Sequence, residues 1–406
     1  MIRDAKGRFC SAPKLVPVPV PTLLPVPTSV PVTVPTLVTA SVFLPCLPHS
    51  DAHQQTHAHE GPWRLHQIIE GLSRLGIETR QVIPSEIPVE VMKTISASFH
   101  VVHGPLASFS RVTREPRDTD SFWVQGATDI AVHTAIVTAC LAVYETLTTN
   151  RATFAAVRPP GHHARRDTSS GYCWRNNSLI ASLFATTYLP SSSQRTIFLF
   201  DIDFHHGHGI EKIMGELRRY CRQHRIFLLY FSVFRGGSFD SAEESKCQDV
   251  AIDPNGGVQI IRRYSSIFSP SWSTEQTAAR LSKIEDFIRL HAPSFDLMIV
   301  SAGFDHCAGE RMEERVIGGS SWVQEDMRLW TPEQVRGLGH TIRQSAERTT
   351  TGYVTAILEG GYEEFTMETV VPMFIEAIGI PRMSITDSDL DSDKDIENGS
   401  RDEKES

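Results

Sequence analysis

The chain has 406 residues, 40% hydrophobic and 21% charged, a globular composition that excludes collagen-like and wholly disordered classes. Of its net charge of −9, the tail from Asp387 to Ser406, with nine acidic and three basic residues, carries −6. The remaining −3 or so gives no electrostatic footprint for nucleic acid. Seven scattered cysteines without a CxxC pair indicate a reducing compartment, and no unbroken apolar run reaches the roughly 18 residues of a membrane span.

Residues 1–48 read as a low-complexity, disordered arm. Their Val-Pro repeats favour extended polyproline II and build no core. His49, His53, His57 and His59 follow as a solvated junction, and Glu60–Pro62–Arg64 leads into a helical pattern at Leu65, Ile68, Ile69 and Leu72. Thr79–Ile83 reads as a short strand and Asp118–Gln125 as a loop. Residues 126–147 repeat apolar side chains at helical spacing (Ile130, Ala131, Ala135, Ile136, Ala139, Val143).

Ala152–Val157 reads as a buried strand running into Arg158–Pro159–Pro160–Gly161–His162–His163, with a helix over Asn176–Tyr188. Ile197–Phe200 is a short apolar run of the kind buried on both sheet faces, and it changes abruptly to Asp201, Asp203 and His205. Ile226–Val233 is a strand and Glu275–His291 an amphipathic helix. The strand Asp296–Ser301 breaks into Ala302–Gly303–Phe304–Asp305. Thr331 with Pro332 marks a helix start. Tyr353–Leu358 is the last strand and ends in Glu359–Gly360–Gly361–Tyr362. The acidic tail, residues 381–406, is expected to be disordered.

Strands alternating with helices predict a mainly parallel sheet covered on both faces, with ligands outside the carboxyl ends of the strands. Four strands end in glycine-rich or polar clusters, which places one site there. If the extended chain continues, Asp201, Asp203 and His205 share a face. Two carboxylates and an imidazole at the end of a buried strand call for a compensating charge, such as a divalent metal. Asp203, His205 and Asp305 make a two-carboxylate, one-histidine set that leaves positions open for water and substrate. These donors allow zinc, iron(II) or manganese. His162 and His163 fit a general base and a neighbour that holds developing charge. Tyr362, beyond two glycines, is placed to donate a hydrogen bond to an oxyanion.

RPPGHHA, SGYCWRNN, DID followed by HHGHG, SAGFD and LEGGY, in this order, resemble the zinc-dependent histone deacetylases of the arginase/deacetylase fold. The resemblance runs from His49 to Ile380. HAHEGPWRLHQIIEGL is similar to that family's N-terminal loop and first helix, and DTDSFWVQGA to its class II pattern. The resemblance implies an α/β fold, a three-layer αβα arrangement with a mainly parallel central sheet, as a single catalytic domain over residues 49–380. Asp203, His205 and Asp305 would bind Zn2+, with Fe2+ as the alternative. His163 would be the proton shuttle, His162 its electrostatic partner and Tyr362 the group that polarises the acyl carbonyl. Asp201 would pair with His162 and, with Ser232, hold a structural potassium ion (K+). Gly171, Tyr172, Met312 and Gly361 would line the acyl-lysine channel.

The implied reaction is hydrolysis of the acetyl amide of N-acetyl-lysine, in histone tails or other proteins, by metal-activated water. Acetylated proteins and corepressor-type proteins would be the partners, with no nucleic acid or membrane involved, in nucleus or cytoplasm. The chain also departs from the family. His208 stands where the family has Asp or Asn behind the proton shuttle. Ser232–Val233–Phe234 replaces Ser-Leu-His, the loop RGGSFD around Phe239 is shortened, and Glu313–Leu329 resembles an insertion at the rim. Two other readings follow. An acetylpolyamine hydrolase would need a rim Glu where Met312 aligns, with Glu313 beside it. A silent acyl-lysine-binding scaffold is suggested by His208 and the altered loop. An arginase is disfavoured, because His306–Cys307 follows Asp305.

Overall fold

The structure is a computed structural model that describes residues 2–3, 9–10, 41–52, 60–104, 126–190, 193–234, 257–264, 271–307, 330–348 and 353–382. Two units divide the chain, residues 1–36 and residues 37–406. In the first, Ile2–Arg3 (β1) and Phe9–Cys10 (β2) pair antiparallel. All else below concerns the second. Most of the expected disordered arm and the acidic tail beyond Arg382 lie outside the described residues.

Eight strands form one sheet in which every pairing is parallel. They are β3 (Val42–Leu44), β4 (Thr79–Gln81), β5 (Thr153–Ala155), β6 (Arg195–Asp201), β7 (Ile226–Phe234), β8 (Val258–Tyr264), β9 (Leu297–Ala302) and β10 (Val354–Leu358). Their order is β4-β3-β5-β10-β9-β6-β7-β8. The run Ile197–Phe200 shows why the inner strands are apolar throughout. Ile197 and Leu199 point into one hydrophobic core, Phe198 and Phe200 into the other, and all four are at most 1% exposed.

The two cores are the two outer layers. On one face lie α3 (Val89–His103), α4 (Ala127–Thr149), α5 (Asn177–Ala185) and α6 (His208–Gln223), packed on Leu199, Tyr230, Ile299 and Ile357. On the other lie α2 (Trp63–Arg74), α7 (Thr274–His291), α8 (Pro332–Glu347) and α9 (Val371–Ala377), packed on Phe200, Phe231, Val300 and Leu358. This is the expected three-layer αβα architecture. Thr331 caps α8 by accepting the Gln334 N–H, and Ser273 caps α7 in the same way through Gln276. The helix α4 is long and apolar enough to cross a membrane, but 72% of its most apolar stretch is buried inside the fold, against α1 (Leu47–Ala52) and α5.

Two expectations change. The arm does not extend to Pro48: Val42, Phe43 and Leu44 are at most 3% exposed in β3, hydrogen-bonded between β4 and β5. Three buried apolar residues between prolines suffice for a strand once both neighbours supply ladder partners. Nor does extended chain continue through His205. The strand stops at Asp201, and the next residues bend because side chains take over the backbone bonding: the Asp203 N–H donates to Asp201 Oδ1 (3.1 Å) and the His205 N–H to Asp203 Oδ1 (2.9 Å). The elements α1, α3, α6 and β8 were not anticipated from the sequence.

Candidate active site

The four clusters follow β5, β10, β9 and β6, which are four adjacent strands. Parallel pairing brings all their carboxyl ends to one edge, so the Gly161–His163 turn, Gly360–Tyr362, Gly303–Asp305 and Asp201–His205 meet in one place. Ser232 enters from β7, in register with Asp201.

Asp203, His205 and Asp305 present ligand atoms that all lie within 4.8 Å of one another. His205 Nδ1 is 2.9 Å from Asp305 Oδ2 and 3.6 Å from Asp203 Oδ1. Each carboxylate is fixed by backbone. Asp203 Oδ2 accepts the Gly360 N–H (2.9 Å) and Asp305 Oδ1 the Phe204 N–H (3.0 Å). Gly303 and Gly360 are needed for this approach, because a Cβ on either would run into the Asp203 carboxylate. Burial, then the charge of Asp203, pushes the Asp305 carboxyl up. Burial opposes charge on His205, but bonding to Asp203 and Asp305 outweighs it and raises the imidazole to about 9. Concentrated negative charge among hard oxygen donors and one imidazole fits a divalent cation, which would satisfy both carboxylates at once.

The paired histidines have different surroundings. His162 Nδ1 lies 3.3 Å from Asp201 Oδ2, which also accepts the Tyr230 hydroxyl at 2.7 Å. Burial works against a charged His162, yet Asp203 and Asp201 together raise it to about 10. His163 Nδ1 instead meets His208 Nδ1 at 3.2 Å, with the rings stacked 4.8 Å apart. Burial, then His162 and His208, hold the His163 imidazole well below its usual range. One histidine is thus held as a cation and its neighbour as a neutral base.

Gly171 and Tyr172 both have positive φ (52° and 62°), and a Cβ at Gly171 would lie 2.5 Å from the His163 ring. Tyr172 and Tyr362 meet edge to face, with centroids 5.5 Å apart. Gly361 has φ 115°, where glycine is favoured. Ser232 Oγ bonds His206 Nδ1 at 2.9 Å, and His206 Nε2 bonds Glu211 at 2.8 Å. Met312, Glu313, Phe239 and the insertion-like stretch lie outside the described residues.

Sequence reasoning missed the groups that hold these loops. Glu359 Oε2 accepts the N–H groups of Gly161 (2.6 Å) and His162 (3.1 Å), tying the turn after β5 to β10. Burial raises its carboxyl to about 7. His162, Cys173 and Glu359 form a second compact donor group, entirely buried. Arg64, Glu60 and Arg158 are fully buried as well. Glu60 bridges both guanidiniums, and Arg64 reaches the Tyr362 loop. Isolated charges in a histidine-rich loop carry no periodic signal. Only the unusual burial of two arginines around one glutamate reveals them.

A parallel sheet with this donor set at its carboxyl edge is the arginase/deacetylase fold. Residues 58–378 match the histone deacetylase domain, and the chain belongs to that family of metal-dependent deacetylases. Histone deacetylase HDA1 of Candida albicans is 26% identical over 324 residues, covering 75% of this chain and 35% of that protein. Polyamine deacetylase HDAC10 of Danio rerio is 28% identical over 254 residues, covering 60% of this chain and 33% of that protein. The crystal structure of the HDA15 HD domain superposes with a TM-score of 0.58 at 22% identity, over 84% of this chain and 91% of that one. The acetylpolyamine aminohydrolase from Burkholderia pseudomallei gives 0.57 at 20% identity, over 84% and 99%. These two likenesses concern the fold. The chain spans less than half the length of the first curated relatives it matches.

Proposed function

We propose that this protein hydrolyses the acetyl amide of N-acetyl-lysine in histones or other proteins. The observation that carries the reading is the union, on four adjacent strands, of a two-carboxylate, one-histidine donor set with a neutral and a cationic histidine and a phenol. Asp203, His205 and Asp305 would hold the divalent ion, zinc or iron(II). When bound it would supply Lewis acidity toward water and the acyl oxygen. His163 accepts the proton of the attacking water and later delivers it to the leaving amine. His162, kept cationic by Asp201 and Asp203, stabilises negative charge developing beside it. Tyr362 donates a hydrogen bond from its hydroxyl to the acyl oxygen as that oxygen becomes anionic, keeping its proton. The apposed Tyr172 and Tyr362 rings, with Gly171 and Gly361, form the described part of the acyl-lysine channel. Met312 belongs to the same reading as part of the rim.

Asp201 and Ser232, buried register partners on β6 and β7, are the proposed donors for a potassium ion. Acetylated proteins and corepressor-type proteins, met in nucleus or cytoplasm, are the proposed partners. The alternative substrate is an acetylated polyamine, favoured by the Danio rerio relative.

The test is acetate release from an acetyl-lysine peptide beside N-acetylated polyamine. Peptide turnover, reduced about 100- to 1,000-fold in Tyr362→Phe, is expected. Turnover of polyamine alone moves the assignment to the small-molecule class, and binding without turnover restores the scaffold. Asp305→Asn is expected to lose the bound metal as measured by elemental analysis. Full metal content in that variant would remove Asp305 from the donor set.

A further inference from the structure

Asp305 is followed in sequence by His306, a side chain that the proposed reaction does not use. It is only 4% exposed and is the third residue of the turn Phe304–Cys307. The backbone of that turn is fixed at three points. The Phe304 N–H donates to the Gly360 carbonyl (3.0 Å), the Cys307 N–H to the Phe304 carbonyl (3.0 Å), and the His306 carbonyl accepts the Trp330 N–H (2.8 Å). The Trp330 ring lies tilted across the imidazole. Yet neither Nδ1 nor Nε2 of His306 has a hydrogen-bond partner among the described residues. Burying an imidazole with both nitrogens unpaired costs free energy that an apolar side chain of similar size would not. The position makes physical sense if a partner is supplied in another state of the site.

Asp305 offers that partner. Its Oδ2 lies 2.9 Å from His205 Nδ1, and its Oδ1 accepts the Phe204 N–H at 3.0 Å. A carboxylate oxygen has two acceptor positions, and the Phe204 N–H takes one of the two on Oδ1. His306 Nδ1 stands 4.0 Å from the same oxygen. That is roughly 1 Å too long for a hydrogen bond, a gap that rotation of the ring about Cβ–Cγ can close. The need arises when the site is loaded. His205 must give up its contact with Asp305 to act as a ligand itself. The Asp305 carboxylate is then free to turn, and a ligating carboxylate depends on outer hydrogen bonds for its orientation. We infer that His306 is a positioning residue of the metal site, donating from Nδ1 to the outer oxygen of Asp305 and holding that carboxylate in its ligating orientation. A neutral imidazole has a single N–H, which this role places on Nδ1. The ring touches no reacting atom and acts through Asp305 alone.

This inference rests on the reading of Asp305 as a metal donor, so its test measures metal binding and needs no turnover. The zinc dissociation constant of the full chain is measured by competition with a chromophoric chelator, and the cobalt(II)-loaded protein supplies a visible absorption spectrum of the site. His306→Leu removes both nitrogens at similar volume. His306→Asn sets an amide N–H near the place of Nδ1, whereas the longer His306→Gln reaches toward that of Nε2. His306→Leu is expected to weaken zinc about 10- to 100-fold and to shift the cobalt bands. His306→Asn is expected to restore most of the affinity and the parent spectrum, and His306→Gln to restore neither. Metal-free thermal melts separate this role from a packing role. Without metal, His306→Leu should melt at or above the parent, because it removes an unpaired buried imidazole. A lower metal-free Tm with an unchanged zinc constant overturns the inference, as do equal losses of affinity in His306→Leu and His306→Asn. If the parent binds neither zinc nor cobalt, the donor set itself is wrong and the role of His306 falls with it. If the parent binds both and His306→Leu binds them equally well, only the role of His306 falls.

Discussion

At the scale of single residues, His208 is the departure with the clearest chemical consequence. It opens α6, with its Nδ1 3.2 Å from Nδ1 of His163. A neutral His208 can accept the Nδ1–H of His163 and leave Nε2 of His163 as the free base. A carboxylate in its place would hold the same tautomer but would also stabilise the charged ring and raise its pKa. Since His163 must be neutral to take a proton, activity is present above its pKa and lost as pH falls through it. That pKa lies well below 6.5 here, so kcat/KM is expected to persist into mild acid. His208→Asp is expected to move the acid limb to higher pH. A pH–rate profile checks both statements, and superimposable profiles would show that His208 does not tune the base.

At the scale of elements, α3 and the loop before α5 are joined by one histidine. His103, the last residue of α3, places Nδ1 3.1 Å from the Arg166 carbonyl, and its Nε2 accepts the Asn176 N–H at 2.9 Å. Asn176 then caps α5. Only the neutral ring with its proton on Nδ1 can make both bonds, and burial, then Arg175, holds its pKa well below 6.5. The unfolded chain takes up the proton near 6.5 while the fold refuses it. Stability from this group is therefore complete above pH 6.5 and lost below it, by about 1.4 kcal/mol per pH unit. Thermal melts at pH 7.5 and 5.5 should show that slope, and His103→Gln should remove it. An equal slope in the variant would assign it to other groups.

How much of these elements the sequence reveals depends on what holds them. The inner strands are legible because burial on both faces demands unbroken apolar runs, as in Ile197–Phe200 and Leu297–Val300. The outer-lying β3 hides in Val-Pro composition, because three residues are too few to show a period, and β8 follows a stretch with no pattern of its own. Of the site, the histidines, carboxylates and Tyr362 stand out as polar groups at strand ends. Glu359, Arg64 and Glu60 do not, since their roles exist only across separations such as the 297 residues between Arg64 and Gly361.

At the scale of the whole molecule, β10, the last of the described strands in sequence, lies near the middle of the sheet. It pairs with β5 on one side and β9 on the other. Without it the sheet is two pieces, β4-β3-β5 and β9-β6-β7-β8, and the site loops are divided between them. A chain ending before Val354 is therefore expected to be insoluble or molten rather than a smaller enzyme. Near-ultraviolet circular dichroism of such a truncation checks this, and a sharp tertiary spectrum would contradict it.

The same insertion governs the protein's birth on the ribosome. Synthesis delivers His162, Asp203 and Asp305 long before Tyr362, yet the β5 loop bearing His162 cannot join the β6 and β9 loops bearing Asp203 and Asp305 until β10 emerges and enters between β5 and β9. Two half-sheets with bare inner edges must wait through some 50 further residues of translation after β9. During that interval they are candidates for chaperone capture, and a ribosome stalled in that window would expose edges able to recruit foreign strands.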